Sequence, residues 1–322
     1  MTTDARVIAI LEELPDLADA GEQDGRRWFA RWNEGAVRLL DDQLSEVNGR
    51  ALALTDEVRV RAASALDRLV LTAGGDTVLV GDDTVTVAGL SIDAAAFVGD
   101  LVVATAPGDD GGHRVLLLDH ATGALLDEQA VDADDAMAVV HRHPIDPVAV
   151  IELAMGQDGC LALRVDVDVD TDVDASRPAG AQLRLTEILS GHDPVIAGFR
   201  PAGDRLLMAP YPSDPETARV FAWPSLDEVG QVSAADIDAE YGFGLAACWV
   251  DGDRAALVAP EDALVLTGPA LDSAVRVDLS QMLGDDAEIE SLTPLAPGRI
   301  AAGVWTPDGR STRVIEFAAP RD

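Results

Sequence analysis

The stretch VIAGFRPAGDRLLMAPY, residues 195–211, reads as an apolar run, a turn built on Pro201, Gly203 and Asp204, and a second apolar run. Each run is too short for a helix that buries a face, and two such runs joined by a tight Gly- and Asp-containing turn are the sequence form of a β-hairpin. The unit recurs in both directions. GLAACWVDGDRAALVAP (244–260) and EIESLTPLAPGRIAAGVWT (288–306) follow it. VAVIELAMGQDGCLALRVDVD (148–168), AAAFVGDLVVATA (94–106) and VRVRAASALDRLVLTAG (58–74) precede it. The turns fall near residues 67, 99, 158, 203, 252 and 298, so the last three intervals are 45, 49 and 46 residues. A four-stranded blade of a β-propeller takes about 40–50 residues, and this spacing matches it. The earlier intervals, 32 and 59, require a shortened blade followed by one with a long insertion.

After each hairpin a further run follows: TVTVAG, HRVLLLD, AQLRLTE, ARVFAW, AVRVDL and TRVIEFA, read as third strands. ATGALLDEQAV (121–131) supplies a tight turn and the fourth strand of one blade. The expected fold is therefore all-β, a propeller of six or seven four-stranded blades over residues 26–322, preceded by a short helix within 1–25. That helix is read from Val7, Ile8, Ile10, Leu11, Leu14 and Leu17, with Thr3 or Asp4 as N-cap and Pro15 ending it near Leu14. It would serve as a cap or a docking element. The hairpin RWFARWNEGAVRLLDD (27–42) supplies either the inner pair of a seventh blade or the missing strand of the last one. Propellers close by pairing strands from both ends of the chain, which removes exposed edges.

GHDPVIAGFRPAGDRLLMA, beginning at Gly191 and His192, resembles the opening half of a WD-repeat blade, and ARVFAWPSLDEVGQV resembles its closing half. DHATGALLDEQAV is similar to the end of another blade. The resemblance covers one repeat, about 191–233, in detail and the rest by rhythm. It implies that His192 is a structural residue of its own blade. The chain departs from the family pattern in having no Trp-Asp dipeptide: Trp223 is followed by Pro224, and His192 belongs to the single blade-opening Gly-His.

The 322 residues carry 58 acidic and 23 basic side chains, a net charge of −35. Such a field repels phosphate backbones and anionic lipid headgroups, which excludes nucleic-acid and membrane-surface roles. All 23 basic residues are arginine, and Asp outnumbers Glu by 42 to 16. A GC-rich genome or adaptation to high salt produces this bias. The apolar fraction of 48% points to a folded, soluble protein. Cys160 and Cys248 have neither disulfide-framework nor CxxC spacing, so both are expected as reduced thiols. No secretory signal and no run of about 20 apolar residues is present, which points to the cytoplasm.

Chemistry-bearing motifs are sparse. Asp166, Asp168, Asp170, Asp172 and Asp174 alternate, and on an extended strand all five carboxylates share one face. A ladder of that kind needs a positive neutraliser, and calcium, with 6 to 8 oxygen ligands, is the candidate cofactor; the alternative is a solvated strand end. His141 and His143, with Asp146 behind them, form an HxH pair suited to a transition metal but lacking a third and fourth ligand. Trp28 and Trp32 share a strand face with Phe29 opposite and are a candidate docking patch; Trp223, Trp249 and Trp305 read as blade packing. No GxSxG elbow, Walker loop or strand-linked GxGxxG occurs. Asparagine is confined to Asn33 and Asn48, which argues against a propeller metal site built on Asn, Glu and Asp. The reading that follows is a non-enzymatic scaffold without a resident cofactor, presenting acidic loops to a basic protein partner, as a monomer or within a hetero-complex. The alternative is a divalent-metal-dependent hydrolase with a carboxylate site in the propeller channel.

Overall fold

A computed structural model describes residues 5–14, 17–23, 26–54, 57–64, 66–108, 111–168, 180–190, 193, 195–210, 216–237, 239, 242–260, 263–284 and 286–318. Its strands, in chain order, begin with β1 (Ala5–Glu12). Blade one holds β2 (Ala18–Gln23), β3 (Arg26–Asn33), β4 (Ala36–Leu40) and β5 (Glu46–Ala51). Blade two holds β6 (Val58–Ala63), β7 (Leu69–Ala73), β8 (Asp76–Val80) and β9 (Thr84–Val87). Blade three holds β10 (Ala94–Val98), β11 (Leu101–Pro107), β12 (His113–Asp119) and β13 (Leu125–Val131). Blade four holds β14 (Met137–Arg142), β15 (Val148–Ala154), β16 (Cys160–Asp168) and β17 (Gln182–Ile188). Blade five holds β18 (Val195–Phe199), β19 (Arg205–Ala209), β20 (Thr217–Ala222) and β21 (Glu228–Ser233). Blade six holds β22 (Ala247–Trp249), β23 (Ala255–Ala259), β24 (Ala263–Thr267) and β25 (Ala274–Asp278). Blade seven joins β26 (Glu288–Ala296), β27 (Arg299–Thr306) and β28 (Gly309–Phe317) to β1. Every pairing is antiparallel, and the chain is a propeller of seven four-stranded blades.

The apolar runs are unbroken because successive residues of a central strand face different neighbouring blades. Leu69 and Leu71 of β7 pack against blade one, while Val70 between them packs against blade three. Ala255, Leu257 and Ala259 of β23 pack toward blade five, and Ala256 and Val258 toward blade seven. A strand covered on both faces loses the polar alternation that a half-exposed strand keeps. The core is thus a series of inter-blade layers, each fully buried Leu contributing about 1.5–3 kcal/mol. Blades one to four form one compact unit, and blades five to seven with β1 form the other.

The N-terminal segment is a strand, not the expected helix. Its exposure alternates residue by residue: Val7, Ala9 and Leu11 are half-buried, while Ile8 and Ile10 are exposed. β1 pairs antiparallel with β28, setting Arg6 opposite Glu316, Val7 opposite Ile315 and Leu11 opposite Thr312. The apolar spacing suits either period. β-branched Val7, Ile8 and Ile10 favour the strand, and the ladder offered by residues some 300 positions away decides it. Blade seven is thus closed by both ends of the chain, with residues 5–12 as the closing strand.

Two register expectations change as well. Residues 27–42 form β3 and β4, the middle strands of blade one rather than its inner pair; the inner strand is β2, which makes the blade number seven. Residues 148–168 form β15 and β16, the second and third strands of blade four. Its first strand is β14, MAVVHR, whose histidine and arginine conceal it. The runs TVTVAG, AQLRLTE and AVRVDL lie in fourth strands, because β8, β16 and β24 are the third.

Candidate functional site

Blade four carries the acidic alternation. Asp166 of β16 stands opposite Arg184 of β17, and Arg164, two residues earlier, shares its face. Arg164 donates from Nε at 2.9 Å and from Nη2 at 2.7 Å to the two oxygens of Asp166, a fork-to-carboxylate pair. Arg184 Nη2 lies 3.7 Å from Asp166 and 3.8 Å from Asp168. The neutraliser that a carboxylate ladder demands is therefore supplied, at these two positions, by guanidinium groups. Asp170, Asp172 and Asp174 lie outside the described residues.

His141 sits near the end of β14, with Nε2 3.7 Å from Glu152 Oε2, beyond hydrogen-bond length. His143 follows the strand in the turn and is buried. Its Nδ1 accepts the backbone N–H groups of Ile145 at 3.2 Å and Asp146 at 2.8 Å. That lone pair is the one a metal at Nδ1 would need, so this nitrogen works as a turn cap. Among the described residues no three His, Cys, Asp or Glu side chains group as metal ligands.

Trp28 and Trp32 lie on the face of β3 that turns to blade two, half-buried against Ala30, Val37, Val58 and Leu71. Phe29, on the opposite face, is fully buried. Trp249 is buried in blade six, and its indole N–H reaches the Gly198 carbonyl of blade five at 3.1 Å. Trp223 packs edge-on to Phe199 at 5.0 Å, and its peptide bond to Pro224 is cis. Trp305, expected in blade packing, is 41% exposed on β27.

Two histidines that sequence reasoning passed over flank β12. Buried His113 donates from Nδ1 at 3.0 Å to the carbonyl of Ala133, just after the outer strand β13, and its Nε2 lies 3.4 Å from the carboxylate of Asp93, just before the inner strand β10. His120, in the turn after β12, reaches into blade two, with Nε2 3.3 Å from the Leu69 carbonyl and its ring edge-on to Phe97. Burial pushes the His120 pKa below its ordinary value, with nearby Arg68 acting in the same direction. Arg68 stacks 4.8 Å over Phe97 and pairs with Asp100, completing the joint between blades two and three. The available sequence signal was placement: HRVLLLDH puts a histidine at each end of one strand.

Seven four-stranded blades, an inter-blade histidine and a buried blade-six tryptophan can be set beside solved structures. The chain superposes over 99% of its length on 98% of a chain described as the crystal structure of the WD40 beta propeller domain of Doa1, at a TM-score of 0.56 and 12% identity. The fold is that of a WD-repeat-like β-propeller. No family model and no curated protein matches the chain. In this WD-repeat-like propeller, blade five covers the repeat whose sequence carries the resemblance, and His192 lies outside the described residues. No helix among the described residues is long and apolar enough to cross a membrane.

Proposed function

We propose that this propeller is a non-enzymatic interaction scaffold that presents carboxylate-bearing turns to a basic protein partner. The observation behind the reading is stoichiometric: 23 arginines can neutralise at most 23 of 58 carboxylates. The turns concentrate the surplus. Asp82 and Asp83 in the turn between β8 and β9 and Asp308 in the turn between β27 and β28 are exposed. A fold of WD40 type commonly serves protein–protein contact, and rigid blades hold such charges at fixed separations, so a matching cationic segment loses less entropy on docking. Cys160 and Cys248 are not joined in a disulfide, which accords with a reducing compartment such as the cytoplasm.

The test is titration of the full chain with an arginine- and lysine-rich peptide and, separately, with a glutamate-rich peptide. One saturable site for the basic peptide, weakened at least about tenfold between 50 and 500 mM NaCl, is the expected result. Equal binding of both peptides, or several basic peptides bound per chain without saturation, would count against a shaped site. The hydrolase alternative separates from this reading in a thermal-shift series with calcium, magnesium, manganese and zinc. A resident site raises the melting temperature for one cation beyond the effect of ionic strength, because a ligand of the native state stabilises it. The scaffold reading expects no such selectivity.

A further inference from the structure

The segment from β3 of blade one to the β6–β7 turn of blade two departs from the acidic balance of the chain. Residues 26–68 contain eight arginines and seven carboxylates, in a protein of net charge −35. Five of these arginines, Arg26, Arg27, Arg31, Arg38 and Arg50, lie on blade one. The register sorts them. Trp28, Trp32 and Val37 turn to blade two, with Arg50 opposite Val37 on the same side. Arg27, Arg31 and Arg38 share the other face, where Arg31 stands directly opposite Arg38 and Arg38 directly opposite Gly49.

Like charges directly opposite on antiparallel strands are destabilising, with Cα atoms only about 4.5–5.5 Å apart. Arg27 is answered by Asp19, and Arg38 Nη1 by Glu46 at 2.9 Å. Arg31 makes no ion pair among the described residues. The Nε atoms of Arg31 and Arg38 are both buried without a hydrogen-bond partner. Gly49 lets Arg38 lie flat on the sheet, since a Cβ there would stand 3.1 Å from Nη1 and 3.3 Å from Cδ. In blades four and seven a carboxylate stands between two arginines, as Arg164 and Arg184 flank Asp166 and Arg6 and Arg299 flank Glu316.

We propose that the Arg31–Arg38 pair is a binding site for a phosphate-type oxoanion, either free phosphate or the phosphoryl group of a phosphomonoester. A tetrahedral dianion has enough acceptor oxygens to engage two guanidinium forks at once and enough charge to cancel their repulsion. A carboxylate between two forks carries one charge, half of what the pair needs, whereas the dianion carries two. Long phosphate polymers remain disfavoured by the acidic surface, but a single oxoanion feels chiefly the charges within a Debye length of about 8 Å at physiological salt. This site is independent of the basic-partner reading, because it uses the opposite charge on a different surface.

The experiment is calorimetric titration of the full chain with inorganic phosphate, and in a second arm with O-phosphoserine, at ionic strength held constant with NaCl. One saturable site is expected, weakened at least about tenfold in Arg31→Met and in Arg38→Met and unchanged in Arg26→Met on the opposite face; the tighter of the two ligands names the source. Arg31→Lys should recover only part of the binding, since an ammonium has no fork. Melting curves guard against misfolded variants. Without phosphate, Arg31→Met melts at or above the wild type, because a charge conflict is gone; with phosphate, the wild type rises and the variant does not. Identical phosphate responses in wild type and Arg31→Met, or heats equal to those of the chloride control, would overturn the proposal.

Discussion

Blades four and one put the same side chain into opposite settings. In blade four the register brings Arg164 and Arg184 against the mostly buried Asp166. In blade one it brings Arg31 against Arg38, with Glu46 reaching only the second. Charge composition alone does not separate the two cases, since both segments mix arginine with acidic residues. The cross-strand partner does. A carboxylate between two forks holds a sheet together, whereas two forks of which Glu46 answers only one leave a site that an external anion can complete.

Removing Asp166 breaks the comparison most severely. Asp166→Ala leaves two diagonally placed arginines without the largely buried carboxylate between them, and a loss of about 2–3 kcal/mol is expected in chemical denaturation. Asp168→Ala is the control; that side chain is 66% exposed and should cost below about 0.5 kcal/mol. Exchanging the two situations gives smaller effects of opposite sign. Arg31→Glu converts blade one to an opposite-charge pair and should gain about 0.5–1 kcal/mol, while Arg184→Glu makes a like-charge pair with Asp166 and should lose a similar amount.

Two pH responses extend the contrast. His120 is held neutral chiefly by burial, so the unfolded chain takes up its proton first: stability is full above the ordinary histidine value of 6.5 and falls as pH drops below it. His120→Gln should flatten that part of the stability–pH curve. In blade seven, Arg6 and then Arg299 hold the Glu316 carboxyl below its ordinary value of 4.5. Its contribution is present above that pH and is lost as pH falls through the lowered value. Glu316→Gln should remove this acid-side slope, the smallest of these effects because the pair is open to solvent.

The blade rhythm was readable because covering both faces of a strand leaves an unbroken apolar run, and 58–74, 94–106, 195–211, 244–260 and 288–306 each correspond to the first two strands of a blade. Blade four was misaligned by one strand. Its first strand, MAVVHR, exposes Met137 and Val139 and ends in His141 and Arg142, so no run of covered residues marks it. The paired aspartates 166 and 168 were correctly placed on one face, but their arginine partners were not foreseen. Arg164 is a near neighbour in sequence, whereas Arg184 arrives through the pairing of β16 with β17.

By itself the sequence determined the hairpin repeat, the all-β class and the surplus of carboxylates, because burial period and charge are written residue by residue. Only the tertiary structure decided that residues 5–12 form a strand, that the blades number seven, and that Arg31 faces Arg38. Each of these depends on which distant backbone offers its hydrogen bonds, and no local pattern carries that information.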